Sequence, residues 1–166
     1  MRDKTILNVT TALGFVGIMF LFRKGPIKEW FLVYLLKSLL CTFLDVPVVQ
    51  KKLVKYPKRY FPRAFDSNIV FVYVIFPVFC VFYNQFTYKM NVLKTIPSVF
   101  LFSTPMAVVE KWLEKNTRLV EYGKGWDSIY TMLYLTFSFW FVRLFMSGIR
   151  WLDRNRKVNE DCFPEQ

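Results

Sequence analysis

Three ionisable residues interrupt apolar stretches of this chain, and they are where chemistry inside a membrane would begin: Lys37, Asp45 and Arg143. Lys37, Cys41 and Asp45 recur at intervals of four, so they drift slowly along one face of a helix. A Lys, Arg or Asp near mid-membrane costs ~2.5–3.5 kcal/mol on insertion scales, so such groups turn toward protein or water and often mark function. Lys37 is near the middle of its stretch, with Asp45 and Glu110 as the acids that could pair with it between helices. Arg143 lies about two turns from the end of its stretch and could snorkel toward Arg150. Lys37, Asp45, Arg143 and Glu110 are therefore the candidate intramembrane polar site. The plainer alternative is that these groups pin helix packing or snorkel. Proton or substrate translocation calls for more intramembrane acids than the chain carries.

A second cluster lies just beyond the fourth apolar stretch. Glu110, Glu114, Arg118 and Glu121 follow a 4-4-3 spacing and share one helical face. Two carboxylates there could serve a metal or acid–base chemistry, but Lys111 and Lys115 are interleaved, which reads as a solvated face. The chain has no His, which excludes the usual Ser/His, Cys/His and His–metal chemistries. Its three Cys, at 41, 80 and 162, are too scattered for a disulfide framework and read as small hydrophobes. No catalytic residue, metal site or cofactor is expected, and the protein is not expected to be an enzyme.

The elements that must position these groups are apolar. The chain has 166 residues, 54% of them hydrophobic and 20% aromatic, yet a formal charge of +11. Apolar and charged residues are segregated along the chain, the pattern of a membrane protein. Five apolar stretches stand out, at about 6–22, 30–49, 69–86, 93–109 and 129–149. A spanning helix needs ~20 mostly apolar residues, which the first, third and fifth approach most clearly. Lipid offers backbone amides no partner, so helices or closed barrels must cross it, and the continuous run 71–76 lacks the alternation of a barrel strand. The expected fold is all-α: one integral membrane domain, 1–166, with about five transmembrane helices. Span four is expected to continue as an amphipathic extension to about residue 122, and residues 150–166 form a basic tail. The first stretch reads as an uncleaved span, because Leu21-Phe22-Arg23-Lys24 makes a poor cleavage site. Pro77, Pro97 and Pro105 predict kinks in spans three and four.

The 50–68 loop is the most charged part of the chain. Lys51, Lys52, Lys55, Lys58, Arg59 and Arg63 alternate there with aromatic and aliphatic residues, against Asp66 alone. Such a mixture can lie on a bilayer, rings in the headgroup layer and cations on anionic lipid, each worth ~1 kcal/mol. These six are the candidate lipid-headgroup contacts. Nucleic-acid binding by interleaved cations and rings is the rival, disfavoured because spans flank the loop. Trp30, Trp112, Trp126 and Trp151 fall at span ends, where aromatic rings with a polar handle prefer to sit. With five spans, twelve cations share the amino-terminal side and nine the other, a slight positive-inside bias toward a cytoplasmic amino terminus.

Three separated motifs carry a resemblance. Lys55-Tyr56-Pro57-Lys58-Arg59-Tyr60-Phe61-Pro62-Arg63-Ala64 resembles Tyr-Pro-x-Arg-x-Phe-Pro-Lys-Ala. Tyr73 to Asn84 resembles Tyr-x-x-Tyr-Pro-x-x-Cys-x-x-Phe-Asn, with Phe76 in place of the second Tyr. Glu114-Lys115-Asn116-Thr117-Arg118-Leu119-Val120-Glu121-Tyr122, followed by Trp126, resembles Glu-Lys-x-Thr-x-Leu-Ile-x-Tyr and a Trp. In order, over about residues 30–152, these resemble a family of small multi-spanning membrane proteins of spore-forming Gram-positive bacteria, which has no established function. The resemblance implies the bacterial cytoplasmic membrane, a Lys in the second span at the place of Lys37, and an external amino terminus, opposite to the charge count. The expected function is a non-enzymatic envelope or sporulation-associated interaction protein. The alternative is a small lipid- or solute-handling protein using Lys37 to hold an anionic group. Expected partners are the lipid bilayer, anionic lipids in particular, and a membrane-protein partner or a second copy of the chain, with no nucleic acid.

Overall fold

In the computed structural model, residues 2–21, 23, 25–60 and 66–162 are described. They form five helical rods and almost no strand, as the apolar stretches require. Rod one is α1 (Arg2–Leu21) and rod two is α2 (Ile27–Gln50). Rod three is a π-helical turn, Phe71–Ile75, running into α3 (Phe76–Phe86). Rod four is α4 (Val92–Ser98) followed by α5 (Phe100–Asn116), and rod five is α6 (Ser128–Cys162). α1, α2 and α6 are each long and apolar enough to cross a bilayer.

The prolines explain the irregular rods. A proline has no N–H to return to the carbonyl four residues back, so Pro77 frees the carbonyl of Tyr73. The helix widens there into the π turn, and the Tyr34 hydroxyl of α2 donates to that carbonyl. Rod four breaks at Val99, between Pro97 and Pro105. Carbonyls beside the break accept from side chains: Thr95 from Tyr83 at 3.1 Å and from Ser98 Oγ at 2.8 Å, and Ile96 from Trp140 Nε1 at 3.3 Å.

The buried core follows the rod axes. Val33, Cys41, Cys80, Val81, Tyr83, Leu135, Phe139, Val142 and Met146 are fully enclosed among α2, α3 and α6. α1 packs on the outside, against the π turn and α3, through glycines. A Cβ at Gly14 would stand 2.4 Å from Val74 Cγ1, and one at Gly17 3.0 Å from Val78 Cγ1. Small residues let helix backbones approach where lipid supplies no hydrophobic drive.

Two expectations are corrected. The amphipathic extension to about 122 stops at Asn116: Thr117 turns extended, its Oγ1 donating to Leu113 and accepting from the Leu119 amide. Beyond it, β2 (Glu121–Tyr122) pairs antiparallel with β1 (Val54–Lys55), tying the basic loop to the connection before α6. Gly123 makes the approach possible, because a Cβ there would stand 2.1 Å from the Lys52 carbonyl. The tail from 150 is not a separate segment but a continuation of α6 to Cys162.

Candidate functional site

The structure does not gather the four groups of the candidate polar site: Lys37 and Arg143 stand apart, while Asp45 and Glu110 line one gap. Lys37 is fully buried between α2 and α6. Its Nζ donates to Ser138 Oγ at 2.5 Å and lies 4.9 Å from the Phe139 ring and 5.7 Å from that of Tyr134. Ring faces are negative, so they partly replace lost water around a cation. Neither Asp45 nor Glu110 forms an ion pair with Lys37. Cys41, one turn further along α2, is buried.

Asp45 and Glu110 instead line a common small gap of about 20 Å³ under the small sheet, with Trp126, Thr131 and Tyr134. Asp45 is buried and its Oδ2 has no hydrogen-bond partner. Glu110 Oε1 accepts from Tyr122 and from Thr131 Oγ1, each at 3.1 Å, and Trp126 Nε1 donates to the same Thr131 hydroxyl at 3.1 Å. Burial, followed by the adjacent Glu110 charge, pushes the Tyr122 phenol upward, so it stays a neutral donor. Glu110 also touches an apolar cavity of about 100 Å³ between α5 and rod three. Glu114 is not part of this network, so the carboxylate pair read from the 4-4-3 spacing is not assembled around Glu110. At the start of α6 the Ser128 amide, then Lys111, hold the exposed Asp127 carboxyl below its usual range, as suits an acid at a helix N-terminus.

The basic loop folds back on the start of α1. Lys58 pairs with Asp3, and Tyr60 donates to Asn8 Oδ1. Between the two segments lies a cleft of about 500 Å³ lined by Lys4, Lys58, Arg59, Asn8 and Tyr60, with the buried Leu7 and Leu119 at its apolar floor. Arg59 is anchored by Nη1 to the Tyr56 carbonyl at 2.8 Å and reaches Asp66 at 3.5 Å. Lys51 and Lys52 are exposed on the turn leading into β1 and Lys55 is exposed within it, all three outside the cleft. Arg63 lies outside the described residues. The residue that a linear reading overlooks here is Asn8, 52 positions from Tyr60.

Arg143, 8% exposed, lies near the opposite end of the bundle, on α6 beside the turn after α3. Seven residues further on, Arg150 Nε pairs with Glu29 Oε2 at 2.7 Å and its guanidinium covers the Tyr88 ring.

No protein-family model matches the chain, and no match is found among curated proteins or solved structures.

Proposed function

We propose that this is a non-enzymatic multi-pass protein of a bacterial cytoplasmic membrane that binds anionic lipid headgroups in the cleft between α1 and the 50–68 loop. The observation that carries the reading is the convergence of Lys4, Lys58 and Arg59 on one cleft, where Lys58 engages Asp3 and Arg59 reaches the largely exposed Asp66 at 3.5 Å. The cleft has cations at its rim and Leu7 and Leu119 beneath, the order of groups a lipid presents as it enters from water to hydrocarbon. It lies at the first residues of α1, where a crossing helix meets the headgroups. Five crossings agree with the alternation of polar connections between the two ends of the bundle. The bacterial membrane rests on the sequence resemblance. Lys37, enclosed by Ser138, Phe139 and Tyr134, is a packing cation in this reading and not the lipid anchor.

The test is lipid retention by the purified protein in neutral detergent, read by native mass spectrometry with phosphatidylglycerol against phosphatidylcholine. Wild type should retain the anionic lipid preferentially, and added salt should weaken it. Each cation near the lipid is worth ~1 kcal/mol, so the double variant Lys58→Ala, Arg59→Ala should weaken retention about tenfold or more. Equal retention by wild type and double variant would sink the proposal.

A further inference from the structure

Arg143 presents a permanently charged group in an apolar setting with part of its hydrogen-bonding capacity unused. A guanidinium keeps its proton, so burial cannot neutralise it as it can a carboxyl or an amine. Nη2 donates to the Thr87 carbonyl at 2.8 Å, while Nε and Nη1 are buried without a partner. No carboxylate among the described residues pairs with it. Glu29, whose charge reaches it, is bound by Arg150. A buried charge lacking its counter-ion is among the more costly arrangements in a protein.

Arg143 lines a cavity of about 210 Å³ with Tyr83, Thr95, Ile96, Trp140 and Leu144. The remaining hydroxyl and indole donors around it are already committed. Tyr83 donates to Thr95, Trp140 to Ile96, Thr95 Oγ1 to Asn91 at 3.0 Å, and Ser147 Oγ to Arg143's own carbonyl at 3.0 Å. Arg143 is thus the lining residue that keeps donors without a partner, beside an otherwise apolar chamber. Leu144, 67% exposed, marks a mouth on the outer surface of α6. Arg143 lies seven residues, or ~10 Å of helix, inward of the Arg150–Glu29 pair.

We infer that this cavity binds an anionic amphiphile: an oxyanion seated on Arg143, with its apolar body along Ile96, Trp140 and Leu144. A long-chain carboxylate and the phosphate of a bilayer phospholipid share this chemistry. The site is independent of the basic cleft, from which it is separated by the length of the bundle.

The full chain would be reconstituted in phosphatidylcholine vesicles and titrated with a dibrominated long-chain fatty acid, whose bromines quench nearby indoles. A parallel arm uses dibrominated phosphatidylglycerol. The wild-type protein should show a saturating phase of quenching above the linear background, and Trp140→Phe should remove that phase. Arg143→Met should weaken it at least tenfold, and Arg143→Lys, which keeps charge but not the planar fork, by less. Lys58→Ala with Arg59→Ala should leave it unchanged, so failure of the cleft proposal and failure of this one are separate results. Saturation in the fatty-acid arm assigns a carboxylate, and saturation in the phospholipid arm alone assigns a lipid phosphate; either supports the site. Linear quenching in both arms, an unaltered phase in Arg143→Met, or equal saturation by a brominated alcohol of the same length overturns it. If Arg143→Met does not fold, Leu144→Phe narrows the mouth without touching the guanidinium. That variant should lose the phase, and retention of wild-type saturation would overturn the proposal equally.

Discussion

Lys37 shows how a single charge can be accommodated deep in a bundle without an acid. The opposing magnitudes are close. Insertion of a Lys costs ~2.5–3.5 kcal/mol at mid-membrane. Cation–ring contacts return ~0.5–2 kcal/mol, with more from the bond to Ser138. On this balance the charge adds little net stability, and the side chain's volume matters more. Lys37→Met, which keeps the volume and leaves Ser138 its bond to the Leu135 carbonyl at 2.9 Å, should melt in detergent at or above the wild-type temperature. Lys37→Ala should melt lower, because it opens a cavity of the kind that costs ~2–5 kcal/mol when a large buried side chain is truncated. Size-exclusion after heating reads both. A Met variant less stable than the Ala variant would give the ammonium itself a structural task that the bond to Ser138 and the two rings do not explain.

Among the elements, the docking of α1 is the most exposed to a single change. It touches the bundle through Gly14 and Gly17, and there is no room at Gly14 for a branched side chain against Val74. Overpacking of this kind typically costs ~1–3 kcal/mol. Gly14→Leu should therefore free α1 from rod three while leaving α2, α3 and α6 packed. A cysteine pair at Gln85 and Leu21, whose carbonyl accepts from Gln85 Nε2 at 3.0 Å, would cross-link in wild type and fail to do so in the variant. Cross-linking at the wild-type rate would mean that α1 is held elsewhere. The rods were legible from sequence because apolar length is a local property: 69–86 is visible without its neighbours. The kinks were legible too, since Pro77 and Pro97 act on their own helix. The ends of rods were not. Asn116 terminates α5 because Glu121–Tyr122 is recruited by Val54–Lys55, some 67 positions away, and no 4-4-3 spacing reports that. The same limit applies to the site. Burial of Lys37 could be expected from its stretch, but Ser138 stands 101 residues from it, and the orphaned donors of Arg143 depend on which carbonyls Tyr83 and Trp140 have already taken.

Over the whole molecule, two groups of polar contacts sort the connections into opposite ends. Lys58–Asp3, Tyr60–Asn8 and the β1–β2 pairing gather the start of α1, the 50–60 segment and the connection before α6 at one end. Arg150–Glu29, the edge-on stacking of Trp30 and Tyr88 at 5.5 Å, and Gln85 on Leu21 gather the α1–α2 turn, the turn after α3 and the second half of α6 at the other. Rods joined in this order alternate direction, so rods that cross a bilayer set these two ends on its opposite faces. The prediction is independent of which face is cytoplasmic. With Cys162 replaced by Ser, single cysteines at Lys4, Lys55 and Lys124 should react alike with a membrane-impermeant maleimide on sealed cells. Those at Lys28, Lys89 and Arg154 should behave in the opposite way until the membrane is permeabilised. Labelling of Lys55 and Lys89 from the same face would remove rod three as a crossing. It would also set the Arg143 cavity and the basic cleft on one membrane surface, contrary to the separation on which their independence rests.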